Sequence, residues 1–227
     1  MATQLAAPFP EFPSDAMLRE GPLEGAIEPS QSVAKSVKAG NVIIAAAASS
    51  SSSSKTKTST TTVLVYCLRR PGCILCRATA LRLAALAPKL ETELGVPIIC
   101  VANAWMPAEI DAFVKDFWRA PLKVYLDETK ALFTALGNGT LRKGSLLAFI
   151  NPFSRVWANA KEAKKTVTEH NLIGDGLLLG GLLAVTTSEK QGGKLEIFGG
   201  FQETTFGDAP TDEQVMELAR KAVEGAR

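Results

Sequence analysis

The clearest pattern begins at residue 63, where an apolar run is followed by an amphipathic stretch and then by a second apolar run. Val63–Leu68 is short and rich in β-branched and aromatic residues, which predicts a buried strand. After a turn, apolar residues recur at alternating steps of four and three positions: Cys76, Ala80, Leu83, Ala87, Leu90 and Leu94. This spacing predicts one face of a helix that ends at Gly95. Val96–Ala102 predicts a second strand, and the short connections imply that it pairs in parallel with the first.

The segments that follow predict further elements in an order typical of one fold. They are a helix over Ala108–Trp118, a strand over Leu122–Leu126, a short helix over Glu128–Leu136, a mostly helical segment over Thr140–Thr168, strands over Leu177–Thr186 and Lys194–Gly199, and a closing helix over Asp212–Val223 capped by Thr211 or Asp212. Gly192-Gly193 lies between the last two strands and indicates a β-hairpin. We therefore expect an α/β, thioredoxin-like fold whose central mixed sheet is flanked by helices, with a helical insertion before the C-terminal hairpin.

The first 62 residues differ in amino-acid composition from the rest of the chain. Residues 45–62 are rich in Ala, Ser and Thr and offer almost nothing to bury, which predicts a disordered linker. Upstream of this stretch, Ala26–Ile44 holds a few apolar residues that could dock on the core as a strand or a short helix. The sequence thus predicts an N-terminal extension over residues 1–62 and a folded domain over residues 63–227.

Composition narrows the class of protein. The 25 Lys and Arg residues against 23 Asp and Glu residues leave a formal net charge of +2, which disfavours a dedicated nucleic-acid binder. The longest apolar run, Leu177–Val185, is about half of what crosses a bilayer, so no membrane span is expected. Acidic residues and prolines near the start disfavour an export or transit signal. These features predict a cytoplasmic protein whose thiols are kept reduced.

Two cysteines separated by two residues mark the candidate site. Cys73 and Cys76 follow the first strand and open the long helix, the placement typical of a redox-active C-x-x-C motif. Cys76 belongs to the apolar stripe and should face inward, whereas Cys73 lies at the helix start, where N–H groups and the helix dipole favour a thiolate. Arg69, Arg70 and Arg77 add positive charge that should lower its pKa further. We expect Cys73 to attack and Cys76 to resolve by closing a disulfide.

The remaining cysteines and the single histidine predict no second site. Cys67 and Cys100 each lie inside a predicted strand and are expected to be small buried apolar residues. Half of a zinc site is the alternative reading of the C-x-x-C pair, but a structural site needs two further ligands at suitable spacing, which the sequence does not offer. His170 is expected in a surface loop. The glycine-rich stretches lack dinucleotide-binding and P-loop spacings, so no bound nucleotide is predicted.

Several blocks of the sequence resemble one family. They are Arg69-Arg70-Pro71-Gly72-Cys73-Ile74-Leu75-Cys76-Arg77, Gly95-Val96-Pro97, Val124-Tyr125-Leu126-Asp127-Glu128, Asn171–Val185 with its Gly180-Gly181, and Phe206-Gly207-Asp208-Ala209-Pro210. In this order they are similar to the peroxiredoxin-like 2 family, thioredoxin-fold proteins related to the AhpC/TSA antioxidant enzymes. One branch of the family is prostamide/prostaglandin F synthase, and another is described as a redox-regulatory antioxidant protein, which the Arg-Arg-Pro-Gly-Cys form resembles more closely.

The resemblance implies a redox-active pair at Cys73 and Cys76 that reduces peroxides or disulfides. Thioredoxin or glutathione would recycle the pair with electrons from NADPH, and no bound cofactor or metal is implied. The chain departs from better-understood relatives at two points. Arg70 stands where typical peroxiredoxins carry a Thr or Ser that orients the peroxide, and Gly180-Gly181 stands where thioredoxins carry a cis-proline.

Two alternative functions follow from these features. The first keeps both cysteines but takes a lipid endoperoxide as substrate, as in the prostamide/prostaglandin F synthase branch. The second is a redox-sensing binding protein in which oxidation of the pair changes a partner interface with negligible turnover. Arg70 in place of the peroxide-orienting residue supports the sensing alternative.

Overall fold

The computed structural model describes residues 4–5, 10–21, 36–50, 61–104, 107–119, 121–171, 175–188 and 194–226. Its strands are β1 (Gln4–Leu5), β2 (Met17–Glu20), β3 (Ser36–Lys38), β4 (Thr62–Leu68), β5 (Ile98–Ala102), β6 (Val124–Leu126), β7 (Gly181–Ser188) and β8 (Lys194–Gln202). Its α-helices are α1 (Ala39–Ser50), α2 (Ile74–Leu94), α3 (Pro107–Phe113), α4 (Ala131–Leu136), α5 (Arg155–Ala163) and α6 (Asp212–Ala226). A π-helical turn over Val114–Trp118 continues α3, and Leu146–Phe149 form a 3₁₀ turn.

One mixed sheet joins the described strands in the order β1-β8-β7-β4-β5-β6-β2-β3. β4 pairs in parallel with β5, as predicted, and antiparallel with β7, which continues into β8. The order β8-β7-β4-β5, with α2 between β4 and β5 and α6 after the hairpin, is the thioredoxin-like arrangement. The 3₁₀ turn and α5 lie between β6 and β7. The predicted fold class and the helical insertion are therefore confirmed.

The central strand is buried on both faces. Leu64 and Tyr66 belong to the core beneath α2 and α6, whereas Val63 and Val65 belong to the core on the opposite face of the sheet. Side chains alternate between faces along a strand, and each face here is covered, so β4 reads as a continuous apolar run rather than an alternating one. This double burial explains why the sequence predicted the strand.

The end of α2 and the start of α6 lie where the sequence predicts them. Gly95 follows α2 with φ of 66°, and its N–H donates to the carbonyl of Glu91. Thr211 caps α6: its hydroxyl accepts the Gln214 backbone N–H at 3.3 Å, while the Gln214 side chain accepts the Thr211 N–H at 2.8 Å. This reciprocal pair is a capping box with Gln in the third position. The predictions of Gly95 and Thr211 are both confirmed.

The first strand of the hairpin starts later than predicted. β7 begins at Gly181, not at Leu177. The backbone just before β7 is hydrogen-bonded to residues 142–144 instead. The Gly144 N–H donates to the Leu177 carbonyl at 2.8 Å, and the Leu179 N–H donates to the Arg142 carbonyl at 2.9 Å. The predicted turn at residues 192–193 lies outside the described residues.

The N-terminal part of the chain contributes to the core. The prediction of a linker over residues 45–62 is wrong for residues 45–50, because α1 extends to Ser50; residues 51–60 lie outside the described part. Alanine is the strongest helix former, which explains the helix in this alanine-rich stretch. The expected docking of the preceding apolar residues is confirmed for α1, since Val42 and Ile43 are buried against the second core. The division of the chain at residues 62 and 63 stays a prediction.

We expect Ile43→Ala to lower the free energy of unfolding by about 2–5 kcal/mol, because truncating a buried isoleucine leaves a cavity. Ile43 is 1% exposed, whereas its neighbour Ile44 is 55% exposed and provides a control in the same helix. Ile44→Ala should change stability by no more than about 0.5 kcal/mol. Urea unfolding followed by circular dichroism measures both values. Equally small changes would mean that α1 does not belong to the core.

Candidate functional site

The two predicted cysteines lie together at the start of α2. Cys73 is the N-cap residue, with extended backbone at φ −77° and ψ 125°, and Cys76 lies in the first turn. Cys73 is 8% exposed and Cys76 is 3% exposed. Tyr66 of β4 donates its hydroxyl to the Cys76 carbonyl at 3.2 Å, which ties this turn to the sheet. All four cysteines are free thiols, so the structure represents the reduced pair.

The two thiols differ strongly in acidity. A hydrogen bond from the Cys76 thiol lowers the pKa of Cys73 well below its usual value, and the Arg69 cation and the backbone N–H groups of Cys76 and Leu75 lower it further against the effect of burial. The same hydrogen bond and burial raise the pKa of Cys76. Cys73 therefore ionises first, with Cys76 as the protonated donor. The roles of attacking and resolving residue stay predictions.

Arg69 is the cation that contacts the Cys73 sulfur. One of its terminal nitrogens lies 3.6 Å from Cys73 Sγ, and its Nε lies 3.4 Å from Glu203 Oε2. Its guanidinium carbon lies 5.0 Å from the centre of the Phe206 ring, in cation–π geometry. Because Arg69 is only 3% exposed, these three groups take the place of water around the cation, although its Nε makes no hydrogen bond among the described residues.

Glu203 is a site residue that the sequence did not reveal. It follows β8, and its carboxylate accepts the Gly180 N–H at 2.8 Å while its own N–H donates to the Gly180 carbonyl at 3.0 Å. Burial raises the pKa of Glu203, and the Arg69 cation opposes this shift. Gly180 also approaches β4 closely, since a Cβ there would lie 2.3 Å from the Cys67 carbonyl oxygen. No local motif marks Glu203; its role follows only from the pairing of β7 with β8.

The other two predicted cations lie differently around the turn. Arg77 donates to the Pro71 carbonyl at 2.7 Å and to the Glu169 carbonyl at 2.6 Å, so it braces the backbone of the turn. Arg70 packs against Gly176, where a Cβ would lie 2.8 Å from the guanidinium carbon. Arg77 thus fixes the shape of the turn that carries Cys73, while Arg69 makes the contact with its sulfur.

The segment that Arg77 holds also closes over the cysteine turn. Asn171 donates its backbone N–H to the Gly72 carbonyl at 2.9 Å. Its side-chain amide lies so close that a Cβ on Gly72 would be 2.1 Å from its oxygen, which explains a glycine directly before Cys73. We call residues 169–171 the cover segment.

The remaining candidate residues behave as predicted. Cys67 is 1% exposed and Cys100 is completely buried, and burial raises the pKa of both thiols, which confirms them as buried apolar residues. His170 is exposed in a loop, also as predicted.

Across the described ranges, no group of three or more His, Cys, Asp and Glu side chains is arranged to hold a metal ion. No described helix combines the length and the apolar character needed to cross a bilayer.

The strand, the tight turn and the helix that opens on Cys73 define a thioredoxin-fold protein with a C-x-x-C site. A family model described as AhpC/TSA antioxidant enzyme matches residues 82–191, a range that begins after both cysteines. The chain is 36% identical over 160 residues to peroxiredoxin-like 2A of Danio rerio, covering 70% of this chain and 68% of that protein. It therefore belongs to the peroxiredoxin-like 2 family of AhpC/TSA-related proteins.

Mammalian relatives give a similar result. The chain is 34% identical over 158 residues to peroxiredoxin-like 2A of Rattus norvegicus, covering 70% of this chain and 62% of that protein. It thus spans less than two thirds of the length of the rat protein. Among solved structures, peroxiredoxin Q of Xanthomonas campestris aligns with a TM-score of 0.49 at 10% identity, covering 97% of each chain.

We expect Arg69→Gln and Glu203→Gln to shift the pKa of Cys73 in opposite directions. Removing the Arg69 cation should raise the pKa of Cys73. Removing the Glu203 carboxylate should lower it further, because Arg69 would then interact with the thiolate alone. The rate of alkylation of Cys73 by iodoacetamide, followed by mass spectrometry across pH, reports the thiolate fraction. Arg82→Gln, at a half-buried arginine of α2 that pairs with Asp212, is the control and should leave the profile unchanged. Shifts of the same sign in both site variants would contradict this electrostatic assignment.

Proposed function

We propose that the chain is a peroxiredoxin-like thiol–disulfide oxidoreductase that reduces peroxides or disulfides with Cys73 and Cys76. The observation that carries this proposal is the buried pair in which Arg69 and a protonated Cys76 lower the pKa of Cys73. A thiolate is the nucleophilic form of cysteine, so this pairing supplies a nucleophile and a poised second thiol in one helical turn.

With a peroxide, the proposed reaction has two steps. The Cys73 thiolate attacks one peroxide oxygen, the O–O bond breaks, and the leaving oxygen takes a proton to depart as an alcohol or water. The sulfur of Cys73 is thereby oxidised by two electrons to a sulfenic acid, while the peroxide is reduced by two. The Cys76 sulfur then attacks the Cys73 sulfur, water leaves, and the Cys73–Cys76 disulfide forms.

Recycling of the disulfide completes the proposal. A dithiol such as thioredoxin, or two molecules of glutathione, would supply two electrons by thiol–disulfide exchange, with NADPH as their source. The chain itself would bind no nucleotide, flavin or metal, and it would work in the cytoplasm, where such reductants keep thiols reduced.

The burial of both sulfurs favours a small oxidant in the first step. Cys73 is 8% exposed, and the cover segment is bonded to its turn, so a small peroxide reaches the sulfur more easily than a folded protein disulfide does. Arg70, in the place of the peroxide-orienting Thr or Ser of typical peroxiredoxins, packs against Gly176 instead. Turnover with hydrogen peroxide should therefore be slower than in those enzymes.

We expect Cys73→Ser to abolish reductase activity, since serine provides no thiolate. Cys76→Ser should allow the first oxidation but not the internal disulfide, so a sulfenic acid on Cys73 should be trapped by dimedone and seen by mass spectrometry. Cys100→Ala, at a buried thiol in the neighbouring strand, is the control and should keep activity. Full activity in Cys73→Ser would overturn the assignment.

Comparing substrates separates the proposal from its alternatives. We expect measurable turnover with hydrogen peroxide when thioredoxin or glutathione is the reductant, and slower turnover with a protein disulfide. Turnover confined to a lipid endoperoxide would favour the prostaglandin F synthase-like alternative. Oxidation of the pair without turnover on any substrate, together with a partner captured in only one redox state, would favour the sensing alternative.

A further inference from the structure

Large apolar side chains are exposed together in the insertion between β6 and β7. Phe153 is 94% exposed, Ile150 75% and Leu147 72%. Leu146, Phe149 and Trp157 are also exposed, at 61%, 41% and 45%. Single exposed apolar residues are ordinary, but six within twelve residues of one insertion are typical of an interaction site. We call these six residues the apolar surface.

Hydrogen bonds within the insertion hold the segments that carry the apolar surface. Ser154 donates its hydroxyl to the Ala148 carbonyl at 2.6 Å, which closes the turn between the 3₁₀ segment and α5. Trp157 donates its indole N–H to the Phe149 carbonyl at 3.1 Å, and the two rings meet edge to face at 6.4 Å. The polar group of Trp157 is thus satisfied within the chain, so the exposed part of its ring is purely apolar.

The segment that carries the apolar surface has an excess of positive charge. Residues 141–165 hold six Lys and Arg residues and one acidic residue, whereas the whole chain has a net charge of only +2. Helical spacing places Lys161 on the same side of α5 as Trp157, and Lys164 continues that side past the end of the helix. Arg155 is paired with Asp208, but within the described part of the chain Lys161 and Lys164 form no ion pair.

We propose that the apolar surface is a peripheral docking site for anionic phospholipid membranes. Protruding aromatic and aliphatic side chains flanked by lysines are the pattern of a segment that inserts at the interface between headgroups and acyl chains. Lysines next to such a segment are attracted to anionic headgroups. Phe153, Ile150 and Leu147 would insert, and Lys161 and Lys164 would contact the headgroup phosphates.

The charges disfavour a second copy of this chain on this surface. A second copy bound through the same patch would bring its own lysines toward Lys161 and Lys164, because a two-fold interface pairs each patch with itself. Like charges would then meet around the contact, whereas an anionic bilayer offers the opposite charge.

Docking would place the candidate redox site near the bilayer. Phe149 of the apolar surface stacks on Phe206 at 5.3 Å, and the Arg69 guanidinium lies over the same Phe206 ring. Arg69 in turn contacts the Cys73 sulfur. The Phe206 ring therefore contacts both the apolar surface and the candidate redox site. The proposed membrane binding does not depend on the redox chemistry.

Sedimentation with lipid vesicles tests the proposal on the full chain. We expect binding to phosphatidylcholine vesicles that contain phosphatidylserine, weakening as salt is added, and little binding to phosphatidylcholine alone. Ile150→Ser combined with Phe153→Ser should weaken binding at least about tenfold, and so should Lys161→Glu combined with Lys164→Glu, from the loss of burial and of attraction respectively. Ile44→Ser, at a 55% exposed isoleucine in α1, is the matched control and should bind like the wild type.

The outcomes distinguish this proposal from its competitors. Cys73→Ser should bind vesicles as well as the wild type, so a failure of the redox proposal would leave this one standing. Circular dichroism checks that each variant is folded, which the exposure of the substituted side chains favours. Absence of binding to anionic vesicles overturns the proposal. A dimer in light scattering that the Ile150 and Phe153 changes dissociate, without vesicle binding, would also overturn it and assign the surface to a second copy.

Discussion

The buried guanidinium of Arg69 is the interaction on which the site depends. A cation removed from water is costly unless other charges and hydrogen-bond acceptors replace the solvent. Here Glu203, the Cys73 sulfur and the Phe206 ring do so. Glu203 and Phe206 lie just after β8 and Cys73 lies at the start of α2, so one cation joins two distant parts of the chain around the thiol.

Two anions share this one cation, which makes the charge of the site depend on its redox state. In the reduced pair, the Cys73 thiolate and the Glu203 carboxylate both face Arg69, and the negative charge of Cys73 contributes to raising the pKa of Glu203. Formation of a disulfide would remove the thiolate and leave Arg69 and Glu203 as a balanced pair. Oxidation would then remove one of the causes that raise the pKa of Glu203. The two anions therefore compete for one guanidinium, and burial remains the main reason why the pKa of Glu203 is raised.

Features fixed by near neighbours could be predicted from the sequence, and features fixed by distant contacts could not. The buried strand of β4, the apolar stripe of α2 and the cap at Thr211 are each encoded within a few residues. Glu203 is one acidic residue after a strand, and only the pairing of β7 with β8 brings its carboxylate to Gly180. The docking of residues before the linker was predicted, but the continuation of α1 to Ser50 was not, because the alanine- and serine-rich composition of residues 45–50 is typical of a linker.

Access to the sulfur, more than its acidity, distinguishes the possible oxidants. Cys76 lies in the first turn of the helix that Cys73 caps, so the second thiol lies next to the first. A protein disulfide faces a different obstacle, because Arg77 binds the Glu169 carbonyl and Asn171 binds Gly72 across the turn. Under the proposed function, a large partner would displace this cover segment and break its hydrogen bonds, whereas a small peroxide would not. Under the proposed function, a small oxidant would therefore reach the thiolate without opening of the cover segment, and a protein only after its local opening.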